Sequence, residues 1–300
     1  MVAQVVAEQE RRTRAMRHES VQGAWELVLG EPEPRLREYV VAYHGYVERM
    51  VRPVCGWELP SVEIPCIINF GPAYRLRNAT NPDTWATHNS FVAGLHDVAA
   101  YHEAAGLAHC LQVNFTPIGA YRFFGVAMGE LVNRVVALDD VFGPLARLLE
   151  ERLYEASSWD IRFAILDGFI AERIDAARPA AAGVAWAWRQ IEEAGGCVAV
   201  NALAEEIGWS RKHLATRFRE QVGMPPKHVA RILRFHRAVR LLDRDGAVCW
   251  ADLAHRRGYY DQSHLIRDVR QYAGCTPTEL LGSRLDASIP AAFLNHRGHR

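Results

Sequence analysis

The chain has 300 residues, with 35 Lys+Arg against 35 Asp+Glu, 49% hydrophobic and 23% charged. That length accommodates two ordinary domains, each with its own core, and the composition is that of a soluble globular protein. No stretch approaches about 18 uninterrupted apolar residues, so no membrane span is expected.

The N-terminus, MVAQVVAEQERRTRAMRHES, turns charged at once and lacks the apolar core of a signal peptide. The six cysteines, Cys55, Cys66, Cys110, Cys197, Cys249 and Cys275, show no C-x-x-C spacing. Reduced thiols in a cytoplasmic protein are the expectation. The balanced charge hides an asymmetry. Residues 197–286 hold 15 Lys+Arg and 10 Asp+Glu, leaving 20 against 25 for the rest, and both lysines, Lys212 and Lys227, lie in the basic part. A basic segment beside an acidic one points to a nucleic-acid footprint on one half only.

In chain order, residues 1–20 read as a charged helix or tail. Residues 21–138 are β-rich, with short apolar runs cut by Pro, Gly, Asn and Asp. VEIPCIINFGP is an apolar strand whose proline favours an edge or a bulge. NPDTWATHNS carries turn chemistry. In LAHCLQVNFTP, Leu107, Leu111, Val113 and Phe115 fall on one face, with Gln112 and Asn114 on the other. Such strands suggest a small sandwich or cupin-like barrel. The period then becomes helical. Leu145, Leu148, Leu149 and Leu153, and after the cap signal SSWD Ile161, Ile165, Phe169 and Ile170, mark a helical pair over 139–178 that suits linking or dimerisation.

The front region carries no G-x-S-x-G, P-loop or G-x-G-x-x-G. Its histidines, His44, His88, His96, His102 and His109, lack tight ligand spacing, so neither a metal nor another cofactor is expected. Its aromatics (among them Trp57, Trp85, Tyr101 and Phe115) suit a core first and a ligand pocket second. Arg75, Arg77 and Arg122 are surface cations first and anion ligands second.

One pattern occurs twice in residues 179–285. VNALAEEIGWSRKHLATRFREQVGMPP and, about fifty residues on, CWADLAHRRGYYDQSHLIRDVRQYAGCTP each contain a short helix, a Gly-aromatic turn and a helix led by polar residues. Gly208 and Gly258 allow the turns, and Ser210 and Asp261 cap the second helices. Leu214, Phe218 and Val222, and Leu265, Val269 and Tyr272, form the buried stripes. This is a helix-turn-helix twice over, whose second helices would enter the major groove. The outward positions include Arg211, Lys212, Thr216 and Arg219, then Gln262, Ser263, Arg267 and Arg270, types able to meet base edges or phosphates. Between the units, KHVARILRFHRAVRLLDR reads as a long amphipathic helix. Val229, Ile232, Leu233, Val239 and Leu242 would tie the units together, and Arg231, Arg234, Arg237, Arg240 and Arg244 would stay wet or approach phosphates. Neither Asp268, an acid beside a presumed DNA surface, nor His264 has an evident role.

The stretch GYYDQSHLIRDVRQYAGCTP resembles the signature of the AraC/XylS regulators, roughly G-F-x-D-Q-S-x-F-x-R-x-F-K-x-x-x-G-x-T-P. Gly258, Asp261, Gln262, Ser263, Arg267, Gly274, Thr276 and Pro277 stand where the pattern wants them, and Tyr259, Leu265 and Val269 replace aromatic phenylalanines. The resemblance implies a seven-helix module with two recognition helices. Arg211, Lys212 and Thr216, with Gln262, Ser263 and Arg267, would touch bases or backbone, although the family often has arginine where Thr216 stands. Upstream, FTPIGAYRFFGVAMGELVNRVVALDDVFG is similar to sensor regions of such regulators.

The expected chain is thus α+β: a small β-sandwich or barrel-like domain with helices, then an all-α double helix-turn-helix domain, with a tail over 286–300. The expected function is sequence-specific binding of double-stranded DNA to regulate transcription, controlled by a small-molecule effector. A homodimer is expected, RNA polymerase is a further partner such a role allows, and no enzymatic activity is foreseen. The alternative is an enzyme or a metal-binding cupin-like domain fused to a DNA-binding module.

Overall fold

The computed structural model describes residues 13–78, 81, 83–245 and 250–285, with only the backbone of 242–245 and 282–285. Residues 13–20, expected as a tail or helix, form strand β1 (Thr13–Ser20), paired in antiparallel register with β2 (Gly23–Gly30) from Thr13↔Gly30 to Ser20↔Gly23. The charges that suggested a tail lie along a sheet edge, where exposed polar side chains are tolerated and discourage further pairing. The rest of that segment, 1–12, lies outside the described residues.

Strand β3 (Val40–Met50) follows β2 in the sheet. The chain continues through β4 (Val54–Glu58), β5 (Ile64–Asn69), β6 (Tyr74–Asn78), β7 (Ala86–His88), β8 (Phe91–Ala93), β9 (Ala100–Ala104) and β10 (Leu107–Phe115). With β11 (Val135–Ala137) they make two antiparallel sheets, ordered β1-β2-β3-β10-β5-β8-β11 and β4-β9-β6-β7. The sheets face each other across an apolar layer that includes Leu27, Tyr46, Ile67, Phe91 and Cys110, with Tyr74 and Leu76 from the smaller sheet packed against it.

Strand β10 corrects the two-faced reading. Leu111, Val113 and Phe115 are buried as expected, but so are Gln112 and Asn114, and Leu107 is half exposed. The strand is covered by helices on one face and by the second sheet on the other, so alternation does not mark an outside. Gln112 Nε2 donates to Asn114 Oδ1 at 2.7 Å, which pairs one amide with the other inside, while Asn114 Nδ2 stays buried without a hydrogen bond. Pro65 also differs from expectation. Its strand β5 is internal, but pairing to β8 starts only at Cys66↔Val92. The missing proline N–H therefore breaks no ladder bond.

Helix α1 (Pro117–Phe124) begins where β10 ends. Thr116 caps it by accepting from Gly119 N at 3.0 Å, and its hydroxyl donates to Glu38 O at 3.0 Å. A 3-10 turn at Met128–Leu131 leads to β11, α2 (Leu138–Phe142), α3 (Pro144–Glu155) and α4 (Trp159–Ala176). Ser158 caps α4 through Ile161 N. Phe115, Phe123, Phe124, Phe142 and Phe169 pack as one aromatic cluster, which fastens α1, α2 and α4 to the sheet. Leu149 and Leu153 are buried, but Leu145, Leu148 and Ile161 are 46–55% exposed. The helical pair thus splits its apolar residues between its own core and solvent-exposed positions on both helices.

Helices α5 (Ala182–Glu193), α6 (Val200–Ile207), α7 (Arg211–Gln221), α8 (Pro226–Asp245), α9 (Trp250–Arg256), α10 (Gln262–Ala273) and α11 (Pro277–Leu285) complete the chain. The observed architecture is α+β, a β-rich front domain followed by an all-α domain. One apolar core runs through both, from Val113 and Phe115 to Phe218 and Leu265. At the seam the C-terminal turn of α7 sits on the Met128–Leu131 turn. A Cβ on Gly223 would lie 3.3 Å from Met128 O and from Val132 Cγ2, so a side chain there would crowd the seam. Buried Gln221 accepts from Ala181 N at 2.9 Å.

Thr116→Val removes a helix cap and leaves a buried N–H without its acceptor. It should lower unfolding free energy by about 1–2 kcal/mol in urea titrations.

Candidate nucleic-acid interface

In the first unit α6 stops at Gly208, whose φ of 73° closes the helix in the left-handed region. Ser210 then accepts from His213 N at 3.1 Å, starting α7 in a new direction. Leu214, Phe218 and Val222 are fully buried, which orients the helix. Arg211, Lys212, Thr216 and Arg219 are all exposed, so the sequence-derived outward face is the observed one. Arg211 Nη1 leans toward Asn201 Oδ1, 3.4 Å away, on α6.

The second unit repeats these devices. Gly258 has φ 70°, and Asp261 accepts from His264 N at 2.9 Å to start α10. Leu265, Val269 and Tyr272 are fully buried, and Gln262, Ser263, Arg267 and Arg270 are exposed. His264 gains a role here. Its Nδ1 lies 2.9 Å from the same Asp261 oxygen, so the ring reinforces the cap. The backbone N–H of His264, and then its ring, hold the Asp261 carboxyl below the usual carboxylate range. Tyr260 beside it is 92% exposed.

Asp268 is not part of the exposed face. It is 4% exposed and accepts from Arg231 Nη2 of α8 at 2.6 Å, and the same nitrogen donates to Gln271 Oε1 at 2.9 Å. The acid therefore ties the second recognition helix to α8 from behind.

Three of the α8 arginines, Arg231, Arg234 and Arg237, depart from the expected wet face with it. Arg234 Nη1 donates to Gly196 O at 3.0 Å and its guanidinium lies 5.6 Å from the Tyr259 ring, while Arg237 Nη2 donates to Glu192 O at 2.7 Å. Arg231, Arg234 and Arg237 are internal fasteners and do not line a phosphate track. They bury their stems between helices while their heads find carbonyls or a carboxylate. Val229, Ile232, Leu233 and Val239 are buried as expected, whereas the Leu242 and Arg244 side chains lie outside the described residues. The spacing of Arg231 and Asp268 gave no hint of their pairing, because their contact spans 37 positions of chain.

In the front domain the aromatics divide. Phe115, Phe123 and Phe124 are core. Trp57, Trp85 and Tyr101 share the outer face of the smaller sheet, with Arg75 and Arg77 stacked 4.5 and 4.9 Å from the Trp85 ring. Arg75 also pairs with Glu103 at 3.2 Å, and Arg122 bonds Tyr39 Oη and Ile174 O, so both serve the fold.

A polar cluster lies between the sheets. Tyr46 Oη donates to buried Glu48, and Tyr74 Oη donates to Cys110 Sγ at 3.3 Å. Burial opposes charge on His102, but Glu58 at 2.9 Å raises its pKa above the ordinary value. Burial raises the Cys110 thiol to about 12. A separate groove of about 400 Å³ is lined by His88, Asn89, Ser90, Asp139, Arg147 and Glu150, between the β7–β8 connection, where the chain crosses from one sheet to the other, and α3. Among the described residues no group of three or more His, Cys, Asp or Glu is placed to hold a metal, and no helix is long and apolar enough to cross a membrane.

Two capped, outward-facing helices on one α8 scaffold define a double helix-turn-helix. Residues 203–283 match the family model described as "Helix-turn-helix domain". The C-terminal third therefore contains a helix-turn-helix domain. A curated relative, the HTH-type transcriptional regulator YbfI of Bacillus subtilis (strain 168), is 37% identical over 68 residues, covering 23% of this chain and 24% of that protein. Among solved structures, ToxT from Vibrio cholerae is similar at 10% identity, over 80% of this chain and 98% of that one, with a TM-score of 0.45. The AraC-like transcriptional activator CuxR is similar at 14% identity, over 82% and 91%, with a TM-score of 0.30.

Asp268→Ala removes the carboxylate from the Arg231 guanidinium, which is left with Gln271 as an acceptor and is about a third exposed. After discounting for that solvent access, the loss should be about 2 kcal/mol of stability in chemical denaturation. No exposed recognition residue is altered.

Proposed function

We propose that the protein is a one-component transcription regulator that binds specific double-stranded DNA through both recognition helices. The observation that carries this reading is the pair of capped helices, α7 and α10, whose apolar backs are fixed to α8 and whose polar faces stand in solvent. The contacting set is Arg211, Lys212, Thr216 and Arg219 on α7, with Gln262, Ser263, Arg267 and Arg270 on α10. Arginine and lysine to phosphate give salt-dependent affinity, while Arg and Gln at base edges give sequence choice.

The front domain is the sensor in this reading. It takes a small-molecule effector and is not an enzyme, with the chain working as a cytoplasmic homodimer that communicates with RNA polymerase. The buried polar cluster around Glu48 and the groove beside α3 both support ligand binding, because each gathers hydrogen-bonding groups at an enclosed or concave place. The exposed leucines Leu145 and Leu148 on α3 support self-association. An effector would act by favouring one arrangement of the domains.

On a selected operator, Arg267→Ala should weaken binding by roughly 1–3 kcal/mol and relax sequence preference at its base pair. Unchanged binding in gel-shift titration removes Arg267 from the reading set. Lys212→Ala should weaken all sequences alike and reduce the slope of log K against log[salt] by about one. For the front domain, a thermal shift with a metabolite pool and no turnover favours the sensor, and product formation favours the enzyme.

A further inference from the structure

The two helix-turn-helix units expose the same positions, about fifty residues apart. In each, a leucine and an alanine near the end of the first helix point inward: Leu203 and Ala204 in α6, Leu253 and Ala254 in α9. The next two residues stand in solvent in both units, and the third is partly buried. What fills the exposed places differs. The first unit has two acids there, Glu205 and Glu206, whereas the second has His255 and Arg256, with Arg257 next. Acids repel a phosphate backbone at the first turn, and an arginine attracts it at the second.

The second turn is also longer. Gly208 is followed by Trp209 and the cap Ser210, whereas Gly258 is followed by Tyr259, Tyr260 and the cap Asp261. Tyr259 takes the inward place, buried with the Arg234 guanidinium 5.6 Å from its ring. Tyr260 is the added residue and stays outside, 92% exposed, edge-on to the His264 ring at 5.9 Å. His264 is itself anchored on Asp261 at 2.9 Å, so the phenol stands on a fixed base just ahead of Gln262 and Ser263. A side chain so exposed adds almost no burial to the fold.

Arg256 is uncompensated as well. Among the described residues no carboxylate pairs with it. Its charged neighbours include Arg257, whose pKa is held below the ordinary range by burial first and then by Arg237 and Arg256. The Arg257 Nε is buried without a hydrogen bond. Like charges gathered without an acid repel one another in the free chain, and an arriving anion relieves them.

We propose that the turn of the second unit is a clamp on the DNA sugar-phosphate backbone, with Arg256 as its charge and Tyr260 as its hydrogen-bond donor, and that the first unit has no such clamp. The inference rests on the DNA-binding reading and deepens it: the second unit grips the backbone where the first repels it. A recognition helix enters the major groove by its first residues, so the residues just ahead of it stand at the groove wall, where phosphates run. Arginine there neutralises a phosphate and releases a counterion, while a phenol donates to a phosphate oxygen without changing charge. The two residues therefore leave different signatures.

The test uses the full chain and two probes: a duplex enriched from a random-sequence pool by the wild-type protein, and the unselected pool. Affinity is followed by fluorescence anisotropy as salt is raised. Arg256→Ala should weaken both probes several-fold and reduce the slope of log K against log[salt] by about one, and Arg256→Lys should restore that slope. Tyr260→Phe should weaken both probes by roughly three- to tenfold with the slope unchanged. Glu206→Gln, at the matching place in the first unit, should not reduce the slope. A full slope in Arg256→Ala, a slope that Arg256→Lys fails to restore, undiminished binding by Tyr260→Phe, or an equal fall in slope with Glu206→Gln overturns the clamp. The DNA-binding reading survives each of those outcomes. A wild-type chain that shows no salt-dependent binding to either probe overturns that reading and the clamp with it.

Discussion

The contact between Arg231 and Asp268 is the joint on which the C-terminal half depends. Both recognition helices must be held to a common scaffold if they are to meet one duplex together. Apolar packing supplies the adhesion, but it is non-directional and permits sliding. A charge-assisted hydrogen bond at 2.6 Å, from a guanidinium to a carboxylate with little solvent access, has direction. It pins α10 to α8 at one register, and Gln271 shares the same donor. Arg234 and Arg237 do the same for the segment before α6, each by reaching a backbone carbonyl. The long central helix is thus cross-braced by cations whose partners come from two other parts of the chain, α10 and the segment before α6.

The same helix is the one that meets the front domain. His228 faces Asp97, and the end of α7 rests on the Met128–Leu131 turn. The apolar core does not stop at the seam, so the two domains share an interior as well as a surface. A rearrangement among the β sheets would have a short physical route to α7 and α8 through packed side chains. This contiguity is what any control of DNA binding by the front domain needs in structural terms.

Much of the recognition face was legible because it is local. Glycine at the turn, Ser210 or Asp261 at the cap and an apolar residue every three or four positions specify a short helix and its buried side within about twenty residues of chain. The opposite side then follows by geometry, and Arg211, Lys212, Gln262, Ser263 and Arg267 stand where that geometry places them. The front domain was legible only as β-rich. Strand β1 was hidden because its charges, read alone, look like a tail. Buried Gln112 and Asn114 looked like an outer face because a strand covered on both sides does not display the alternation that marks one covered on one side.

The sequence by itself determined the two helix-turn-helix units, their caps and their outward residues, since each depends on neighbours a few positions away. Tertiary structure alone decided what the remaining charged groups do. Asp268 faces inward to Arg231, while Arg234 and Arg237 reach backbone carbonyls of the segment before α6, and His264 closes back on Asp261. The first two pairings join residues tens of positions apart. Chain spacing carries no trace of such contacts, because burial of the intervening apolar residues brings the partners together.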